Sequence, residues 1–374
     1  MFNKKTVFIL GAGASWHYGY PTGELLIGRI IKKAKILSTY LQFSEGTTND
    51  EVPDYIVEKT KTGISLGQAW KTAFAESKGL EAALTQTNPL VIDYFLGLNP
   101  ALRPIGTLLI AWVILECETV RRKTGLNANR TGPPFNKDDW CRFIIHQLAI
   151  DCRTSADLLS NDVTFVTFNY DVSLEIALSQ GLEHIELFKK DDVIQKFFQG
   201  DRVLHIYGAI RPAWTPSAVA LPNERDPGEF SAEQRPVYLK GYKQFLDHAL
   251  AASRGLRVID PQEKETDKHV IEAACKAIAA SESVYILGYG FDENNSKRLC
   301  LPECLNYQKT HKSVFFTNFR NVNRVNKRAS KVFFGNDVHF APRGDDVERA
   351  GAWVYERSTR DVYEALELDF ESFE

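Results

Sequence analysis

The sequence predicts an α/β protein with a three-layer architecture, a parallel sheet covered on both faces by helices, interrupted by one large helical insertion. Three observations carry this expectation. Short runs of β-branched, aromatic and aliphatic residues recur along the chain, as in Val7-Phe8-Ile9-Leu10, Val163-Thr164-Phe165-Val166-Thr167-Phe168 and Val284-Tyr285-Ile286-Leu287. Stretches with helical periodicity separate them, and such crossovers join strands that run parallel. The runs also end in glycines or in Asn and Asp, which places the unusual residues at one edge of the sheet.

The first run passes without a spacer into Gly11-Ala12-Gly13-Ala14-Ser15. Two glycines permit a tight turn and let a ligand or another backbone approach the main chain. Amides opening a helix or nest at this point favour an anionic group such as a pyrophosphate. The bare alternative is a tight turn that only starts the α/β fold. Trp16 stands where a G-x-G-x-x-G dinucleotide fingerprint has its last glycine, and no Lys-Ser or Lys-Thr follows to make a phosphate-binding P-loop.

Apolar residues at 25, 26, 30, 31, 34 and 37 then recur at helical spacing, with Lys32, Lys33 and Lys35 on the opposite arc. Residues 41–66 are polar and read as a surface loop. Helical patterns follow over 66–84 and 89–97, and 104–123 form one long apolar helix. The polar segment 125–134 interrupts the pattern before a helix over 140–149. The stretch 27–158 is therefore mostly helical and is inserted into the α/β fold.

The strand at 163–168 ends in Asn169-Tyr170-Asp171 and leads into a helix carrying Leu174, Ala177 and Leu178. Ile185-Glu186-Leu187 reads as a short strand, Arg202–Tyr207 as a longer one stopped by Gly208, and 211–235 as a long loop. Helices are expected over 245–252 and 267–280. The opening device then repeats: strand 283–287 ends in Gly288-Tyr289-Gly290, with Asp292 placed to cap the next helix. Val314-Phe315-Phe316-Thr317-Asn318 gives another strand, and Lys331-Val332-Phe333-Phe334 reads as the last. The expected organisation is a Rossmann-like domain of 1–26, 159–210 and 281–345, a helical insertion at 27–158, a loop and helical connection at 211–280, and a helical or acidic tail at 346–374.

Composition narrows the partners. A formal charge of -3 gives no global attraction to nucleic acid or to an anionic membrane, so neither is expected as a direct partner. The first apolar run is too short for a signal-peptide core and cleavage site, and the most apolar segment, Thr107–Cys117, runs into Glu116 and Glu118, so a buried helix of a cytoplasmic protein is expected. Of the six cysteines only Cys300 and Cys304 are close in sequence; no four-cysteine zinc site, and no metal, is expected.

The strand ends carry the chemistry. Asn169 can orient a sugar hydroxyl or a water, and Asp171 can stabilise developing positive charge; equally, both residue types cap the turn or helix that follows a strand. His205 and Tyr207 share one face of their strand. His205 reads either as a proton-transfer group or as a core histidine bonded to its neighbours.

Taken together these segments resemble the sirtuin family, in its bacterial antiphage-defence branch. Gly11-Ala12-Gly13-Ala14-Ser15 with Gly19-Tyr20-Pro21 is similar to the family's GAGxS…GxP pattern. Thr167-Phe168-Asn169-Tyr170-Asp171 matches its TQN-x-D element at Thr, Asn and Asp. Leu204-His205-Ile206-Tyr207-Gly208 resembles its HxHG strand end, Leu287–Gly290 its second glycine turn, and Thr317-Asn318 its late Asn near the adenosine ribose. The likeness covers about half the chain, and Tyr207 stands where the family has its catalytic His.

The resemblance implies a sheet edge that binds NAD+ as substrate. Gly11, Ala12, Gly13, Ala14, Ser15, Tyr20, Pro21, Thr167, Gly288, Tyr289, Gly290 and Asn318 would border it, Asn169 would hold the ribose or attacking water, and Asp171 the nicotinamide carboxamide. Asn169, Asp171, His205 and Tyr207 would carry the reaction. It further implies hydrolysis of the nicotinamide–ribose bond to ADP-ribose and nicotinamide in antiviral defence, a homo-oligomer, and a HerA-type ATPase or an Argonaute protein as partner. The alternatives are a weakly catalytic NAD/ADP-ribose-binding module that tunes assembly, and an NAD-dependent protein deacylase. The four-cysteine zinc module that shapes the deacylase cleft has no counterpart in the sequence.

Overall fold

Side chains from four strands stack in one row across the centre of the sheet. Phe8 lies 5.3 Å from Phe165 and 4.9 Å from Tyr285, and Tyr285 lies 4.7 Å from Phe315, all with nearly parallel rings. These residues are opposite one another in the strand register, so the row is a direct product of where aromatic residues fall in each run. Such cross-strand pairs each contribute about 0.2–1 kcal/mol and oppose slippage.

In this computed structural model, residues 1–44, 52–124, 139–189, 192–210, 231, 234–258, 268–306, 312–335, 353–357, 362–363 and 365–366 are described. The strands are β1 (Thr6–Leu10), β2 (Val163–Thr167), β3 (Val203–His205), β4 (Ser283–Leu287), β5 (Ser313–Thr317) and β6 (Trp353–Arg357). The helices, in order, are α1 (Ala12–Trp16), α2 (Gly23–Ser44), α3 (Asp54–Thr60), α4 (Leu66–Thr87), α5 (Ile92–Leu98), α6 (Arg103–Thr124), α7 (Cys141–Ala149), α8 (Ser173–Glu183), α9 (Val193–Phe197), α10 (Arg235–Ser253), α11 (Lys268–Ala280), α12 (Glu293–Arg298), α13 (Leu301–Cys304) and α14 (Asn323–Phe334). The chain divides into two units, one of Met1–Gly19, Asn129–Ile206 and Lys264–Glu374, the other of Tyr20–Ala128 and Tyr207–Glu263.

The first unit holds the sheet. All pairings are parallel, in the order β3-β2-β1-β4-β5-β6. This is the general Rossmann-like topology: the chain winds outward from β1 to β3, then returns and winds the other way from β4 to β6. The topological switch point therefore falls between β1 and β4, and ligands of such sheets collect beyond the carboxyl ends at that point. Leu10 is level with Thr167 and Leu287, and Thr167 with His205, so the residues that follow these strands share one edge. All five residues of β1 are buried, as a central strand covered on both faces requires. Lys312, just before β5, is also buried and donates to the carbonyls of Ile278, Ala279 and Ser281 at the end of α11, a cation at the negative end of a helix.

The second unit is helical. Its core contains Trp112 of α6, whose ring meets Tyr242 and Phe245 of α10 at 5.7 and 5.6 Å, while Tyr40 of α2 stacks on Tyr242 at 5.5 Å. Lys33 reaches Glu116 at 2.6 Å, and the Trp112 indole donates to the same carboxylate oxygen. Pro100–Thr119 is long and apolar enough to cross a membrane by length and composition; within it, residues 108–113 are wholly buried.

Several expected elements differ. Lys331–Phe334 is not a strand but the last turn of α14, because Asn326, Ala329, Ser330 and Phe333 repeat at helical spacing on its buried side and Gly335, with φ at 73°, ends it. Residues 186–188 form a 3-10 turn instead of a strand. The strand read over 202–207 is only Val203–His205, since the Tyr207 carbonyl accepts from the Arg257 amide and Gly208, at φ 68°, turns the chain away. The expected loop at 41–66 contains α3, and the tail contains β6. The expected break at 125–134 and most of the long loop at 211–235 lie outside the described residues.

Candidate functional site

At the switch point the two glycine turns interlock. The Gly11 amide donates to the Leu287 carbonyl at 2.9 Å, and the Gly13 amide to the Gly288 carbonyl at 3.0 Å. A Cβ on Gly11 would lie 2.5 Å from the Gly288 oxygen, and one on Gly13 2.8 Å from the Gly288 Cα. One on Gly288 would lie 2.2 Å from the Ala14 nitrogen, and its φ of 61° is itself left-handed. These three glycines are thus explained by backbone meeting backbone. The amides expected to receive an anion are partly engaged already: Gly13 donates to Gly288, and Ala14 to the Gly11 carbonyl at 2.9 Å. Helix α1 is a single short turn, and the Ala14 carbonyl accepts from the Trp140 indole at 2.9 Å.

Asn169 follows β2 and is tied down on every side. Its backbone amide donates to Thr167 Oγ1 at 3.0 Å, and its side-chain Nδ2 donates to the Gly11 carbonyl at 3.0 Å and to Ser15 Oγ at 2.8 Å. The carbonyl partner fixes which end of the amide is nitrogen, since only the NH2 can donate to it. Both amide protons are therefore engaged, and Oδ1 is left as an acceptor. A substrate group meeting this side chain has to bring the hydrogen.

Asp171 is buried two residues on. It accepts from the Ser173 amide at 3.0 Å, and the hydroxyls of Ser173 and Ser15 also bond to it. Burial pushes its carboxyl above the ordinary aspartate range; these hydrogen bonds and nearby His205 oppose the shift. A carboxyl raised on folding binds its proton more tightly in the native state than in the unfolded chain, where aspartate titrates near ~3.9. Its contribution to stability is then complete below that value and is lost as pH rises through the folded one. Asp171→Asn keeps the acceptor for Ser173 and removes the buried charge. It is expected to melt above the wild type at pH 8, with the difference gone by about pH 4; thermal melts across that range check it, and an equal or lower melting temperature at pH 8 would contradict it.

His205, the last residue of β3, is buried with both ring nitrogens engaged: Nδ1 lies 3.1 Å from the Asn169 carbonyl and Nε2 2.9 Å from Glu175 Oε1. Thr317 Oγ1 accepts from the Gly288 amide at 2.8 Å. Tyr289 stacks on Phe168 at 4.9 Å, and its hydroxyl lies 3.1 Å from Ser296 Oγ. Asn318 is turned into its own loop, donating to Asn326 Oδ1 at 2.6 Å and to the Val322 carbonyl and accepting from the Val322 amide. A Cβ on Gly290 would meet no atom within 4 Å.

The first unit thus gathers Gly11, Ala12, Gly13, Ala14, Ser15, Thr167, Asn169, Asp171, His205, Gly288, Tyr289, Gly290 and Asn318 along one sheet edge. Tyr20, Pro21 and Tyr207 belong to the second unit, where Tyr20 and Tyr207 are buried. Glu175, Ser173 and Trp140 join the network without any sequence signal beyond position: Glu175 is an ordinary acidic residue in the first turn of α8, and only its approach to His205 distinguishes it. Cys275 is a further spatial neighbour invisible in the sequence, its Sγ 2.8 Å from that of Cys300. No family model, no curated protein and no solved structure matches this chain, so the likeness to the sirtuins rests on the residues quoted above.

Proposed function

We propose that this chain is a sirtuin-like NAD+ hydrolase whose reaction takes place at the carboxyl edge of the sheet. Water replaces nicotinamide on the ribose, giving ADP-ribose, nicotinamide and a proton. The observation that carries this reading is the acceptor-only amide of Asn169. Held by Gly11 and Ser15, its Oδ1 suits a ribose hydroxyl or the attacking water, both of which bring a hydrogen. Nicotinamide leaves from a cationic ring, so its departure needs no acid, and the positive charge that develops on the ribose is stabilised by a carboxylate such as Asp171.

Unrestrained loss of NAD+ would harm the cell that makes the enzyme, so the reading includes a restraint, supplied by self-assembly or by a partner of the HerA-type ATPase or Argonaute kind. Antiviral defence in the cytoplasm is the setting such restraint fits. The test is direct. Purified protein, alone and with the product of the neighbouring gene, is incubated with NAD+ and nicotinamide release is followed; no product in either case would exclude the hydrolase.

One observation favours a second reading. Both nitrogens of His205 are engaged, so this strand end presents no free imidazole base. A site without such a base suits a module that binds NAD or ADP-ribose and hardly turns it over. Calorimetry showing tight binding with no nicotinamide released would select that reading.

A further inference from the structure

We infer that Glu175 and His205 form a positioning pair that holds Asn169 from behind, so that the imidazole acts as a strut within the protein and is not offered to the substrate. As an assignment of role in the reaction, this rests on the reading of Asn169 given above. The placement itself follows from donors and acceptors. The Asn169 carbonyl can only accept, so the His205 Nδ1 at 3.1 Å must carry a proton. The other nitrogen faces a carboxylate oxygen at 2.9 Å, an attractive arrangement only with a second proton between them. Whichever atom holds that second proton, Nδ1–H stays on Asn169, and neither ring nitrogen keeps a lone pair for water.

The pair joins three elements. His205 ends β3, Asn169 follows β2, and Glu175 lies in the first turn of α8, four residues after Asp171. His205 is 9% exposed, so the contacts are shielded from competing water. Asn169 is then fixed through its amide by Thr167, through its carbonyl by His205, and through its side chain by Gly11 and Ser15. Loss of the strut leaves the side-chain bonds but frees the peptide that aims Oδ1. Among the described residues, Glu175 and Asp171 are the charged groups seen to act on the ring.

The test uses the full-length chain with 15N-labelled histidine. Long-range 1H–15N correlation spectra, with the His205 signals identified by their loss in His205→Gln, should show a proton on Nδ1. A bare Nδ1 in the wild type overturns the inference. In kinetics, Glu175→Ala should lower kcat for nicotinamide release by about 10–100-fold, the scale of a small misplacement of a reacting group, with KM little changed. Glu175→Gln should restore most of the rate, because its amide can donate to Nε2. Wild-type kcat in Glu175→Ala, or equal losses in the two variants, overturns it as well. A wild-type chain that releases no nicotinamide yet shows the Nδ1 proton removes the hydrolase and leaves the strut standing.

Discussion

Asn169→Ala is expected to lower the rate of nicotinamide release by at least about a hundredfold, the scale on which loss of one positioned hydrogen-bonding group acts. The same change removes two buried hydrogen bonds, to the Gly11 carbonyl and to Ser15 Oγ, so it should also cost about 1–3 kcal/mol of stability. Asn169→Asp separates the two effects. It keeps an acceptor where Oδ1 stands but sets an oxygen against the Gly11 carbonyl and Ser15, so its stability should fall although the substrate-facing atom is conserved. Initial rates and melting temperatures of the three proteins check this. Wild-type turnover in the alanine variant would remove Asn169 from the reaction.

Gly288→Ala carries the largest expected effect on stability. Its Cβ would lie 2.2 Å from one backbone nitrogen and 2.4 Å from the Gly13 carbonyl carbon, where no side chain can yield, and φ at 61° adds strain. Together these should cost about 3–5 kcal/mol. Gly290, two residues on, is the internal control: a Cβ there meets nothing, so Gly290→Ala should lie within about 0.5 kcal/mol of the wild type. Denaturant titrations of the pair check both. If Gly290→Ala also weakens NAD+ binding at unchanged stability, that face of the turn borders the substrate.

Much of the sheet was legible in the sequence because central parallel strands must be apolar on both faces, which makes β1, β2, β4 and β5 stand out as unbroken runs. The failures have physical causes. Lys331–Phe334 imitates such a run, but it is too short to separate strand from helix, and the decisive marks lay outside it, in the spacing back to Asn326 and in Gly335. β6 lay in a segment dominated by charge, where Trp353-Val354-Tyr355 was the available signal. At the site, sequence order identified Asn169 and Asp171 as strand-end residues but not which protons were engaged. The glycine turns were legible as glycines, while their reason, two backbones in contact across the switch point, depends on residues nearly the whole α/β fold apart. Glu175 was illegible for the same cause: a carboxylate acquires a role only from the ring it meets.

The alternation of the two units along the chain bears on how the molecule is made. Trp112 in α6 finds its ring partners in α10, more than a hundred residues later in synthesis. At roughly 5–20 residues per second on a ribosome, the apolar face of α6 waits several seconds for its cover. Neither unit is a continuous stretch of polypeptide, so neither can be cut out by trimming the gene at two points; a fragment ending before residue 235 would carry Trp112 without its ring partners in α10. The nascent protein is therefore most vulnerable to aggregation in that interval, and chaperone demand should peak there.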